Sequence, residues 1–324
     1  MLFALAAIGL ILIACEPLAP DSDSQVVIVV TQTFTPAPPA SPTSLLPTRP
    51  PTLVPPTMTS TPVITPSPTV APCTESEGRL LEDQTFDSAV VGGEVLYNMY
   101  VPPCFFSSGL RYPYVILLHG SGFDYTQWTD GIGIHTILDE AIVAGELMPM
   151  VLVMPEGGLP LELNDYSVDQ LFEDEILDEL MPQLELQYCL WNEQNGRAIG
   201  GISRGGFWAF SIVFRHPNEF ISLGGHSPFF PEDVPPEYNP INIAIGLPPN
   251  TPLRIYMDHA QVDSGAQETS RLYTVLGNRT INADYVVSPT GGHDNAYWRS
   301  QARNYLDFYN GGWPQNLAQY PSCF

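Results

Sequence analysis

The sequence predicts an α/β fold in which a mostly parallel central sheet carries helices on both faces. Three observations lead there. From Cys73 onward, short β-rich runs alternate with longer amphipathic ones, the rhythm of successive strand–helix–strand units. Several of the β-rich runs are almost continuously apolar, as strands are when both faces of the sheet are covered. Residues 73–324 span 252 positions, enough for one large α/β domain.

Before that domain the composition predicts two segments of other kinds. "MLFALAAIGLILIAC" is an unbroken small and apolar run ending at Cys15, long enough for the hydrophobic stretch of an export signal and short for a membrane span. Its last four residues resemble the lipobox of bacterial lipoproteins, so residues 1–15 are expected to be a lipoprotein-type signal peptide with Cys15 carrying lipid. No Lys or Arg precedes the run, and an uncleaved membrane anchor is the alternative. Both readings place the remainder outside the cytoplasm. Residues 16–72 hold 15 Pro and 11 Thr in 57 positions, which predicts an extended, disordered linker between anchor and domain. "QVVIVV" at 25–30 is its one strand-like interruption, and no function is assigned to it.

Within the domain the predicted strands are "VLYNMYVP", "PYVILLHG", "MVLVMPE", "RAIGGIS", "FISLGGHS", "LRIYMD" and "ADYVVSP". Helices are expected near 133–145, 169–188, 205–216, 265–277 and 295–310. The Pro-rich stretch "PFFPEDVPPEYNPINIAIGLPPN" is too long for a plain connection and is expected to cap a site.

Charge and cysteines bound the function. Of 35 acidic and 11 basic residues, Glu16, Asp21, Asp23 and Arg49 precede residue 73, leaving 32 and 10 and a net charge of −22 on the domain. There is no lysine in the chain. Such a surface repels polyanions, so nucleic acid is excluded as a partner. With Cys15 lipidated, Cys73, Cys104, Cys189 and Cys323 remain, an even number in an exported chain, and their spacing fits no metal motif. Pairing Cys73 with Cys104 and Cys189 with Cys323 would fasten each end of the domain.

Chemistry is concentrated in "RAIGGISRGGFWAF". Gly201-Ile202-Ser203-Arg204-Gly205 fits G-x-S-x-G, and it lies where that motif requires, after a predicted strand and before a predicted helix. Ser203 is therefore the candidate nucleophile. Its hydroxyl needs a base to take the proton. Of six histidines, His293 in "SPTGGHDNAYW" follows the last predicted strand on a glycine-rich loop that can reach Ser203. A carboxylate must hold the imidazole, and "LRIYMDHAQVD" offers Asp258 and Asp263. Either gives the chain order Ser, Asp, His. The N–H of Arg204, next after the nucleophile, should form half of an oxyanion hole, and the turn in "LLHGSGFDYTQW" the other half, with Ser121 ahead of Gly122. Trp128 and Trp298, with Phe207 and Trp208, are candidate apolar walls, although core packing is the stronger expectation for the last two.

The pieces "YNMYVPP", "YPYVILLHGSG", "ELMPQLE", "AIGGISRGG", "YMDHAQVD" and "GGHDNAYW" resemble, in order, the esterase family of α/β-hydrolases that includes esterase D, enterochelin-esterase-like, feruloyl-esterase-like and antigen 85-like enzymes. The resemblance runs from about residue 95 to 310. It implies an α/β-hydrolase, hydrolysis of a small-molecule or polymer-linked carboxylic ester through an acyl-enzyme, the set Ser203, Asp263 and His293, and no cofactor or metal. Relatives often carry an aromatic directly after "GGHD", where this chain has Asn295. Two other functions fit the same residues: an acyltransferase that resolves the acyl-enzyme with an alcohol, and a non-catalytic surface binding module.

Overall fold

The computed structural model describes residues 28–30, 73–163, 166 and 172–324. The expected signal peptide, Cys15 and all of the linker except 28–30 lie outside the described residues.

Nine strands form one sheet: β1 (Ile28–Val30), β2 (Arg79–Ser88), β3 (Gly93–Val101), β4 (Tyr114–Leu118), β5 (Val151–Pro155), β6 (Arg197–Ile202), β7 (Ser222–His226), β8 (Arg254–Ala260) and β9 (Ala283–Ser288). Their spatial order is β1-β9-β8-β7-β6-β4-β5-β3-β2. From β9 to β5 every neighbouring pair is parallel, while β1, β3 and β2 attach antiparallel at the two sides. Seven strands follow the runs expected from sequence. β2, "RLLEDQTFDS", has no continuous apolar run because it is an edge strand, largely exposed along its length.

Helices cover both faces. α1 (Ile134–Val143) and α8 (Asn295–Asn310) lie on one side. On the other are α2 (Gly158–Leu163), the helical run 172–187, α5 (Arg204–Arg215), α6 (Pro240–Gly246) and α7 (Ala266–Asn278). The run 172–187 comprises α3 (Phe172–Asp174), a π-helical turn Glu175–Leu180 and α4 (Met181–Gln187). Because side chains alternate along a strand, one strand feeds two cores. Ile116 and Leu118 of β4 pack toward α5, whereas Val115 and Leu117 pack toward α1 and α8.

Two disulfides close the domain: Cys73–Cys104 and Cys189–Cys323, each with Cα atoms 5.6 Å apart. The Pro-rich connection after β7 is folded. Asn239 caps α6 by accepting from the N–H groups of Ile241 and Asn242, and α6 packs beside α5 and α7. The start of this connection reaches the nucleophile: the N–H of Phe229 donates to the Ser203 carbonyl at 3.1 Å.

The register places the site. Ile202 of β6 lies opposite His226 of β7, which lies opposite Asp258 of β8. Parallel strands in step bring the loops after β4, β6, β8 and β9 to one edge of the sheet, and these loops hold Ser121, Ser203, Asp263 and His293.

Candidate active site

Ser203 stands between β6 and α5 with φ 51° and ψ −111°, a left-handed conformation that a non-glycine residue adopts only when its surroundings impose it. Two glycines impose it. A Cβ on Gly201 would run into the Gly205 backbone, and one on Gly205 would lie 2.5 Å from the carbonyl oxygens of Leu118 and His119. Without them strand and helix could not approach this closely. The Ser203 N–H donates to the His226 carbonyl at 3.1 Å, which ties the turn to β7.

The Ser203 hydroxyl lies 2.8 Å from His293 Nε2, and His293 Nδ1 lies 3.0 Å from Asp263 Oδ2. The carboxylate accepts a hydrogen bond from Nδ1–H, so Nε2 carries the lone pair that faces the serine. The Asp263 side chain is fully buried and that of His293 is 29% exposed, so substrate meets the imidazole and not the acid. Burial pushes the Asp263 carboxyl up, but hydrogen bonds from His293 and the Gly265 N–H outweigh it and hold the pKa below the ordinary value. The structure thus brings together Ser203, His293 and, of the two candidate acids, Asp263.

Asp258 is elsewhere, for a reason set by strand periodicity. β8 continues to Ala260, so Asp258 is inside the strand and shares a face with Tyr256 and Ala260, toward α8. There it is fully buried and accepts the hydroxyls of Tyr297 at 2.6 Å and Tyr305 at 3.0 Å. Burial pushes both phenols above their usual range, which keeps them donors. His226 stacks on Tyr305 with 3.6 Å between ring centroids, its Nδ1 3.4 Å from Asp258. Burial holds this imidazole below its ordinary pKa against the pull of Asp258.

Arg204 is the first residue of α5, so its N–H has no carbonyl four residues earlier within the helix to bond. Across from it, the loop after β4 is held at several points. Gly157 N–H donates to His119 Nε2 at 2.9 Å, which leaves Nδ1 as the donor to the Gly120 carbonyl. Gly120 N–H donates to Gln127 Oε1 at 2.8 Å, and Gln127 Nε2 donates to Asn295 Oδ1 at 2.9 Å. Asn295 therefore connects the loop after β4 to the residues following His293. Gly122 N–H donates to Glu162 at 2.7 Å, so of the two expected oxyanion donors in this loop it is Ser121 whose N–H is free of an acceptor among the described residues.

The tryptophan walls expected from sequence are corrected. Trp128 is fully buried, donates to the Leu118 carbonyl and meets the rings of His226 and Tyr305 edge-on. Trp298, 2% exposed, sits edge-on against His293 at 5.1 Å and supports the imidazole from behind. Both lie on helical turns facing the sheet, where a large indole is driven into the core. Phe207 and Trp208 are also buried. Exposed apolar side chains occur instead on the loops themselves: Phe123 beside the Ser121 turn, Phe229 beside Ser203, and Val262 beside Asp263.

A sequence profile of the family described as "Putative esterase" matches residues 88–304, two thirds of the chain and the whole of the site. The chain belongs to that family. The family is one of esterases. An esterase of Mycobacterium tuberculosis is 29% identical over 147 residues, 44% of this chain and 31% of the relative. A xylanase/feruloyl esterase of Xylanibacter ruminicola is 27% identical over 170 residues, 48% of this chain and 22% of that protein. The chain thus matches less than a third of the length of these curated relatives. Among solved structures, a ferulic acid esterase superposes with a TM-score of 0.66 at 21% identity, covering 73% of this chain and all of that one. An S-formylglutathione hydrolase of Staphylococcus aureus superposes with a TM-score of 0.61 at 15% identity, covering 71% and 98%. Both share the α/β-hydrolase fold expected from the sequence.

Proposed function

We propose that the chain is an exported serine esterase that cleaves carboxylic esters through an acyl-enzyme. The observation that carries this reading is the continuous hydrogen-bonded path from Ser203 Oγ through His293 to Asp263. His293 Nε2 takes the hydroxyl proton as Oγ attacks the ester carbonyl. The carbonyl oxygen becomes negative between the N–H groups of Arg204 and Ser121. The imidazolium then gives its proton to the departing alcohol, the C–O bond breaks, and the acyl group remains on Ser203. Water, deprotonated by the same imidazole, attacks in the second half and releases the acid. Asp263 holds the imidazole and balances its charge in each half.

Exposed Phe229, bonded through its N–H to the Ser203 carbonyl, with exposed Phe123 and Val262 close in sequence to Ser121 and Asp263, favours an ester with a small apolar or aromatic acyl group. A feruloyl esterase module of known structure was solved with sinapinate, which is consistent with that class. The run ending at Cys15, the Pro/Thr-rich linker of residues 16–72 and the two disulfides support a lipid-anchored catalytic domain, residues 73–324, working outside the cytoplasm. Labelling with a fluorophosphonate followed by peptide mapping tests the central claim. Modification at Ser203 is the expected result, and an unlabelled, folded protein overturns it.

A further inference from the structure

Two consecutive residues of α2 touch the two halves of the oxyanion site. The carbonyl of Leu161 accepts from Arg204 Nε and from Trp208 Nε1, each at 3.0 Å, so α2 is pinned to the nucleophile helix. The next residue, Glu162, is turned to the opposite side. Its carboxylate accepts the Gly122 N–H at 2.7 Å on one oxygen and the Ser121 hydroxyl at 2.5 Å on the other. Arg204 and Ser121 are the residues whose N–H groups are proposed above to receive the developing oxyanion. The Leu161 carbonyl and the Glu162 carboxylate, on adjacent residues, thus tie the Arg204 side chain to the Ser121 turn.

The turn itself is closed by one backbone bond, from the Phe123 N–H to the Gly120 carbonyl at 3.2 Å, and Glu162 adds a side-chain anchor from outside it. Ser121 and Gly122 are exposed, Gly122 has φ +74°, and a Cβ placed on Gly122 would meet nothing within 4 Å. His119 and Gln127 hold the turn upstream, at Gly120. Beyond Gly120, Glu162 is the side chain that binds both the hydroxyl and the following N–H. An oxyanion donor works only when its direction is set before the charge forms, and an error of about 1 Å costs on the order of 100-fold in rate.

We infer that Glu162 is a positioning residue for ester hydrolysis: through Ser121 and Gly122 it fixes the Ser121 N–H at a set distance from the Arg204 N–H. This rests on the esterase reading above. Among the described residues the carboxylate bonds Ser121 and Gly122 and makes no hydrogen bond to Ser203. Accepting from two donors disperses its charge, which would otherwise oppose a nearby oxyanion.

The test compares wild type with Glu162→Ala, Glu162→Gln, Ser121→Ala and the Ser121→Ala/Glu162→Ala double variant. Two probes serve: p-nitrophenyl acetate for kcat and KM, and a fluorophosphonate for the rate of serine modification. Glu162→Ala is expected to lower kcat and the phosphonylation rate together by about 10- to 50-fold, with KM within about threefold, because ground-state binding does not use the hole. Glu162→Gln, whose Oε1 still accepts the Gly122 N–H, should recover most of that rate. Ser121→Ala should show a smaller loss, and the double variant no more than Glu162→Ala alone, since Ser121→Ala removes one of the two contacts that Glu162→Ala already removes. Wild-type kcat in Glu162→Ala overturns the inference while leaving the esterase reading intact. So do losses that multiply in the double variant, or a rise in KM with kcat unchanged. Should Glu162→Ala fail to fold, Ser121→Ala with unaltered kcat and phosphonylation rate has the same force. A wild-type protein that neither hydrolyses the ester nor reacts with the phosphonate overturns both.

Discussion

Asp263 Oδ2 lies 3.0 Å from His293 Nδ1, while Asp258, five residues earlier, points to the other face of the sheet and binds Tyr297 and Tyr305. The two acids are therefore separable by experiment. Asp263→Asn should lower kcat on the order of 10⁴-fold, because an amide favours the wrong imidazole tautomer, with little change in fold. Asp258→Asn should cost stability, about 1–3 kcal/mol from mismatched buried hydroxyls, and leave kcat within a few-fold. Steady-state kinetics and denaturant titration on both variants check this; the opposite pattern would reassign the acid.

Ser203→Ala and His293→Ala should each reduce kcat by roughly 10⁴ to 10⁶, and Ser203→Ala/His293→Ala by no more than either alone, because the residues act as a unit. Circular dichroism of the variants should match wild type. Near-normal turnover by Ser203→Ala would end the serine mechanism.

Glu175 gives a pH-dependent prediction away from the site. It is fully buried on the π-helical turn, neither carboxylate oxygen has a partner among the described residues, and burial, helped by Glu179 and Glu156, pushes its pKa up to about 8. The folded protein thus keeps a proton that the unfolded chain loses near ~4.3. Between those values unfolding releases the proton, so the contribution is full below the ordinary carboxylate range and is lost as pH rises through 8. Glu175→Gln should raise the Tm at pH 8 by several degrees and at pH 5 by much less. An equal shift at both pH values would show that the carboxyl does not titrate in this way.

How much of this was legible beforehand depends on what kind of signal each residue leaves. Ser203 is marked by glycines on both sides, and His293 by its place after the last strand. Asp263 and Asp258 look alike in sequence because the end of β8 is not marked: "DHA" continues the strand two residues past the apolar run. Trp128 and Trp298 were misplaced because a string of letters does not show which way an indole points. Glu162 and Gln127 leave no signal in the sequence, since each grips the turn through a backbone N–H, a group that every residue except proline carries. At the other extreme, "QVVIVV" reads as a strand inside a polar linker, and Ile28–Val30 does pair with β9.

Removing the Cys189–Cys323 bond should cost about 2–5 kcal/mol, since closing a loop of 134 residues restricts the unfolded chain more than closing one of 31. Chemical denaturation of Cys189→Ser/Cys323→Ser against Cys73→Ser/Cys104→Ser checks the order. Thiol titration of the denatured, unreduced catalytic domain should find none free.

The other disulfide has a mechanical consequence. A pull applied to the chain between Val30 and Cys73 passes through sulfur to Cys104, beyond the end of β3 at Val101. The hairpin of β2 and β3, residues 79–101, is thereby shunted out of the line of force. Its ladder would otherwise be peeled one hydrogen bond at a time from the exposed edge. With the bond intact the load enters the globule behind the hairpin. Reduction turns the same segment into a zipper that tension opens from the β2 end.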